Sequence, residues 1–355
     1  MPDLLKALGF GADVVRDVLF DEQNLWSFGR LTDTPDLPQL AGEDIPAGER
    51  YVSVTLHAQR VAHGRKVTTT YYPAVRCFAT VKRLLAEPAQ FSTITTPTEL
   101  EAISKQDLGR IIFGEQPLLG PLVYWGPMRL SIALHAIPAA DLAAPYLALL
   151  TDVSSKVGMG ALAAAAPIAE SLRLGIYAVT GAGRETMEVG YAVGALEART
   201  GYFAVIGANG IDVPSCRLAD RQLIDAAGAP IAAPWFVFSV NANTEIPDWW
   251  ASVPGLIPTY ARAAGVRSVQ DLDDIERECR ALIAASDDLT REDRKRAREH
   301  LGARFTERRE ELKLAEDREA FRPEPDEEAL VRTAIDELSS IRLNDPVGSP
   351  RAATK

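Results

Sequence analysis

Residues 139–183 read AADLAAPYLALLTDVSSKVGMGALAAAAPIAESLRLGIYAVTGAG, an alanine-rich stretch of low charge. In its first half, apolar residues recur in steps of three and four, the spacing of one helix face. These residues are Leu142, Tyr146, Leu149, Leu150, Val153 and Val157. Gly158 and Gly160 favour the end of that helix, and a second helix is expected from Pro167 to Gly181. The stretch therefore predicts a helical hairpin.

Three functional interpretations of this stretch compete with a purely structural one. Gly158-x-Gly160-x-x-Ala163 is a loose dinucleotide-binding fingerprint, but helical spacing precedes it where that fold requires a strand. Four charged residues interrupt the apolar run, so no resident membrane span is expected. These residues are Asp152, Lys156, Glu170 and Arg173. A hairpin that refolds into a membrane is the third interpretation, although the alternation of a barrel strand is absent.

Segments with a period of two lie on both sides of the hairpin. Before it, Val52, Val54 and Leu56 alternate with polar residues, and after it Met187 and Val189 do the same. Further strands are expected at 67–81, 128–134, 202–206, 217–224 and 234–240, whereas residues 114–127 are turn-rich. About eight strands at short spacing favour an antiparallel sheet. The predicted fold class is α+β, with an antiparallel β-sandwich-like domain that carries the inserted helical hairpin and a helical C-terminal region.

The predicted organisation has four parts. Residues 1–44 form an N-terminal helical segment and loop, and residues 45–245 form the β-sandwich-like domain with the helical pair at 139–183. Residues 246–343 form the helical C-terminal region, since apolar residues recur there at helical spacing, for example from Val269 to Ala285, where Leu272, Ile275 and Cys279 share a helix face. The last residues, 344–355, are expected to be disordered.

The composition limits the function classes. An apolar content of 47% and a charged content of 25% are typical of a globular protein. A net charge of −11 disfavours nucleic acid as a partner. The three cysteines are far apart, and the N-terminus lacks a secretory signal. We therefore expect a protein of the reducing cytoplasm, and the alanine- and arginine-rich usage hints at a bacterial one.

No motif identifies a catalytic, cofactor-binding or metal-binding residue. The four histidines, His57, His63, His135 and His300, stand at no metal-ligand spacing from one another or from a cysteine. Cys77 shares the phase of Val75 and Ala79, so it is expected in the core rather than as a nucleophile paired with a histidine. Nucleophile-elbow, phosphate-loop and zinc-protease motifs do not occur in the sequence.

Two features favour contacts with another protein. Trp249 and Trp250 are adjacent and lie between prolines, and paired tryptophans suit an interface, a ligand shelf or the seam between two domains. Arg294 and Arg298 belong to an arginine-rich helix. Acidic residues interleave with its arginines at helical spacing, which favours internal ion pairing over anion binding.

The favoured hypothesis is a non-enzymatic cytosolic interaction or regulatory protein that acts through protein–protein contacts and needs no cofactor. One alternative is a latent, pore-forming type of membrane effector, in which proteolysis near Pro323 releases segment 139–183. A second alternative is an enzyme with a dispersed site that uses His57, His63 and His135.

Overall fold

The computed structural model describes residues 26–61, 65–66, 69–84, 87–94, 112–138, 187–196, 199–316, 327–345 and 347. The predicted helical hairpin at 139–183, the N-terminal helices and most of the segment 344–355 lie outside these residues. The membrane-effector hypothesis, which depends on the hairpin, therefore stays a prediction.

Twelve strands occur in the described part of the chain. They are β1 (Ser27–Leu31), β2 (Tyr51–Arg60), β3 (Arg65–Lys66), β4 (Thr69–Val81), β5 (Ala89–Ile94), β6 (Ile112–Val123), β7 (Met128–Pro138), β8 (Met187–Leu196), β9 (Gly201–Ile206), β10 (Arg217–Ala219), β11 (Gln222–Ile224) and β12 (Trp235–Asn243). One sheet has the order β1-β9-β12-β2-β6, and a second has the order β3-β4-β7-β8 with β5 on β4. All pairings between these strands are antiparallel.

The two sheets contribute to one hydrophobic cluster. Alternate residues of β2, such as Val54 and Leu56, join Val75 of β4 and Ile132 of β7 in it, and all four are buried. The other face of the first sheet packs on the short hairpin β10–β11, where Trp235 is fully buried. The predicted mixture of α and β structure with antiparallel sheets is confirmed; the sandwich arrangement stays a prediction.

Two predictions for the β region are wrong. The expected single strand at 217–224 is the hairpin β10–β11, because Asp220 and Arg221 form a tight turn with φ of 52° and 59°. The expected turn-rich passage 114–127 belongs largely to β6. Among the described strands, β6 pairs with β2 alone and lies at the sheet edge, where the missing N–H groups of Pro117 and Pro121 are tolerated.

A bulge interrupts the pairing of β2. Leu56 lies opposite Phe238 and Ala58 lies opposite Val237, so His57 is an extra residue on β2. A bulge of this kind re-aims a side chain. His57 consequently faces the same side of the sheet as Ser239 and Tyr202, both of which it contacts.

Four α-helices form the C-terminal region. They are α1 (Leu256–Arg262), α2 (Val269–Ala285), α3 (Arg291–Glu316) and α4 (Glu327–Ser339). The expected apolar face of α2 packs into a second hydrophobic cluster with Leu301 and Phe305 of α3 and Leu338 of α4. Ser268 caps α2, because its Oγ accepts a hydrogen bond of 3.1 Å from the Asp271 N–H.

Tyr51 at the start of β2 joins the first sheet to α3. Its hydroxyl donates to Asp293 Oδ2 at 2.5 Å and accepts from the Thr290 N–H at 3.3 Å. Thr290 in turn caps the helix, since its Oγ1 accepts from the Asp293 N–H at 3.1 Å. Trp125 completes the joint by donating from Nε1 to the Asp287 carbonyl at 2.9 Å. We call these contacts the Tyr51 joint.

Replacing Tyr51 tests the joint. In Tyr51→Phe the buried Asp293 carboxylate loses its donor, and the free energy of unfolding should fall by about 2 kcal/mol. Urea titration measures this loss. Tyr124→Phe is the matched control, because Tyr124 is also buried but its hydroxyl makes no hydrogen bond to a described residue. The control should change by less than about 0.5 kcal/mol, and equal losses in the two variants would contradict the assignment.

Candidate functional site

A groove of about 870 Å³ lies where the first sheet meets the C-terminal helices. Residues 242–250, from the end of β12 into a short 3-10 turn, form one wall. Ser339, the last residue of α4, and residues 341–343 form the other wall. Pro121 of β6 and Asp293 of α3 also line the groove, so four separate segments of the chain build it.

Side-chain contacts hold the two walls together. Trp249 is only 2% exposed, and its Nε1 donates to the Ile341 carbonyl at 3.2 Å. Asn344 donates to the Glu245 carboxylate and accepts from the Arg296 guanidinium. The Tyr51 joint holds Asp293, which also lines the groove. Contacts within the chain therefore tie the walls of the groove together.

The rim of the groove carries Trp250 and Asp248. Trp250 is half-buried against the helical cluster, whereas Asp248 is exposed. Asp248 has φ 52° and ψ 39°, the left-handed conformation that is uncommon outside glycine. Its carboxylate makes no capping bond to the 3-10 turn that it precedes. The lining of the groove therefore includes an exposed carboxylate and a partly exposed indole.

The groove is acidic. Glu245, Asp248 and Asp293 contribute three carboxylates, and Arg342 contributes one guanidinium. Glu245 and Asp293 already accept hydrogen bonds from Asn344 and Tyr51. Among the described residues, Asp248 is the groove carboxylate without a hydrogen-bonding or charged side-chain partner.

The four residues that the sequence predicted for interaction lie in different places in the structure. Trp249 and Trp250 line the groove, with Trp249 as an internal support. Arg294 lies at the Tyr51 joint, 5.3 Å from the Trp125 ring centroid, and donates to the Ala284 carbonyl at 3.3 Å. Burial lowers the pKa of Arg294. Arg298 is exposed on α3 and donates to the Arg294 carbonyl at 3.1 Å, so neither arginine lines the groove.

Sequence reasoning did not find Asp248, Glu245 and Arg342. Their convergence depends on the path of the chain after β12 and after α4, which periodicity does not specify. The Asp248-Trp249-Trp250 triplet was the one local signal of this site in the sequence. An aspartate tolerates the left-handed backbone conformation better than most residues do, which allows the chain to turn just before the tryptophans.

Ion pairs cover much of the arginine-rich helix α3. Arg296 pairs with Glu292 at 3.2 Å, Arg308 with Glu311 at 3.0 Å, and Arg309 with Asp273 of α2 at 2.7 Å. The expected internal pairing is therefore present. These contacts reduce the positive field that a polyanion would need.

A second polar cluster lies on the outer face of the first sheet. His57 Nε2 is 2.8 Å from Ser239 Oγ, and its ring packs edge-on to Tyr202 at a centroid distance of 5.3 Å. Glu115 Oε1 lies 3.9 Å from His57 Nδ1. This order of serine, histidine and carboxylate is that of a nucleophilic triad. Ser239, however, has no exposed surface, so an external carbonyl group has no route to its Oγ.

The dispersed histidine site expected from the sequence stays a prediction. His135 belongs to β7 of the second sheet, whereas His57 belongs to β2 of the first, and His63 lies outside the described residues. Burial raises the pKa of the Cys77 thiol to about 12, which keeps it protonated and inert. In the part of the chain that the structure describes, no group of three or more acidic, histidine or cysteine residues is placed to hold a metal ion.

Comparisons with known proteins assign no relative to the chain. It matches no protein-family model, no curated protein and no solved structure. Within the described residues, no helix has the length and apolar character needed to cross a bilayer.

Because His57 is buried, the free energy of unfolding should depend on pH. Burial lowers the pKa of His57 from its ordinary value of 6.5, while Glu115 opposes this shift. Below pH 6.5 the unfolded chain therefore binds a proton that the folded chain does not bind. The free energy of unfolding should fall with decreasing pH by up to about 1.4 kcal/mol per pH unit.

Urea titrations between pH 7.5 and pH 5 measure this slope in the native protein and in His57→Gln. The glutamine retains a polar group near Ser239 but has no titrating group, so this part of the slope should disappear in the variant. An identical slope in both proteins would assign the acid sensitivity to other groups.

Proposed function

We propose that the chain is a non-enzymatic, cytosolic interaction protein that binds a protein partner in the groove between Trp250 and Arg342. The sheets act as a sandwich-like scaffold, and the C-terminal helices present the groove. The observation that carries this proposal is the cavity itself, which combines tied walls, a partly exposed tryptophan and exposed charges on its rim.

The lining of the groove has the composition of a recognition surface. Tryptophan and arginine are enriched among residues that dominate binding energy at protein interfaces. Trp250 and Arg342 belong to different walls of the groove, and the largely buried Ile341 and Leu343 flank Arg342. Charged residues at the edge of a groove are typical of the polar rim of protein interfaces.

The same lining provides little for catalysis. Acid–base chemistry needs a group whose pKa lies near the operating pH, most often a histidine, and the described residues that line the groove include no histidine. The serine–histidine pair lies elsewhere, and its serine is buried. A partner is therefore bound rather than chemically changed.

Site-specific photocrosslinking in the cells that encode the protein tests this function. The photoreactive residue p-benzoylphenylalanine replaces Arg342 at the groove rim and, as the matched control, Gln222 on the exposed face of β11. We expect a discrete crosslinked species with the Arg342 variant and not with the Gln222 variant. The captured protein must then bind the purified full chain. Crosslinks of equal pattern at both positions, or none at Arg342, would contradict the proposed function.

A further inference from the structure

The chemistry of the groove narrows the kind of partner. Its formal charge is negative, since three carboxylates face one guanidinium. Among the described residues, two of the carboxylates already have donors and Asp248 has none. The carboxylates would repel a negatively charged ligand. A cation could bind both the unpartnered carboxylate and an aromatic ring.

We infer that the groove holds an arginine side chain from a basic segment of the partner, with its guanidinium stacked on Trp250 and paired with Asp248. This inference rests on the proposed function, because it specifies the occupant of the same groove. Arg342, the guanidinium among the described residues that line the groove, repels an incoming cation, so we assign that cation to Asp248 and Trp250.

Arginine fits this site better than lysine. Its planar guanidinium stacks on an aromatic ring and offers parallel N–H groups to a carboxylate, whereas the lysine ammonium is a strongly hydrated point charge. Asp248 and Trp250 both line the groove, which is why the inference assigns both contacts to one guanidinium.

A peptide segment fits better than a free small molecule. Pockets for small molecules bury roughly 70–90% of the ligand surface. Here Asn243, Thr244, Pro247 and Asp248 on one wall and Arg342 on the other are exposed. The main chain on either side of an arginine can lie along these exposed walls.

Nuclear magnetic resonance of the full chain labelled with ¹⁵N-tryptophan tests the inference. Five indole N–H signals are expected from the five tryptophans, and a Trp250→Phe sample assigns the signal of Trp250. The probe is the peptide acetyl-Ala-Arg-Ala-amide. Its matched control contains citrulline, which has nearly the shape of arginine but no charge. We expect the Trp250 signal to shift with the arginine peptide and not with the citrulline peptide.

Asp248→Asn tests the carboxylate. The expected result is binding of the arginine peptide about fivefold weaker than to the native protein. Asp220→Asn is the matched control, because Asp220 is also exposed and also has φ 52° but lies in the β10–β11 turn. Asparagine tolerates this backbone conformation, so both variants should fold, and the control should bind as tightly as the native protein.

The outcomes separate this inference from the proposed function. An unmoved Trp250 signal, equal shifts with both peptides, or equal weakening by the two asparagine variants would overturn the arginine site. If the crosslinked partner still binds Asp248→Asn with unchanged affinity, the proposed function stands and the arginine site is wrong. If the peptide binds as expected and no crosslinked partner exists, the proposed function is wrong while the cation site remains.

Discussion

The hydroxyl of Tyr51 is the contact on which the arrangement of the protein depends. It is a fully buried group of the first sheet that bonds both to the capping segment of α3 and to the Asp293 carboxylate. A buried carboxylate without a hydrogen-bond donor destabilises the fold. The Asp293 carboxylate therefore favours the position of α3 in which the Tyr51 hydroxyl of the sheet can donate to it. Gly48 adds a steric constraint, because a Cβ at its φ of 79° would lie 2.6 Å from the Trp125 ring.

The groove is a consequence of this joint. Once α3 is fixed, Asp293 lies against the end of β12 and the segment after α4. Trp249 then closes the structure through its bond to the Ile341 carbonyl, and the chain bends at Asp248 in a left-handed conformation. Residues held in such conformations cluster at binding sites, where surrounding contacts support the strain. These contacts lie within the chain and fix the lining residues of the groove relative to one another.

The sequence predicted those parts of the fold in which the local pattern of apolar and polar residues determines the secondary structure. Helix α2 begins and ends where its apolar spacing indicated, at Val269 and Ala285, and β2 follows the alternation of Val52, Val54 and Leu56. The sequence did not predict β6, because prolines are acceptable in a strand only at the edge of a sheet. Which strand lies at an edge is determined by the pairing of distant strands. The tryptophan pair was visible in the sequence, but its partners Glu245 and Arg342 are brought together by long-range folding.

The distance between the sheet region and α3 tests the central claim most directly. Spin labels on Gln222→Cys in β11 and Glu310→Cys in α3 occupy exposed positions, and the native cysteines are buried and should stay unlabelled. Double electron–electron resonance should give one narrow distance distribution in the chain described here and a broader one when Tyr51→Phe is added. A broad or multiple distribution with Tyr51 intact would contradict a fixed joint, and with it the preformed groove.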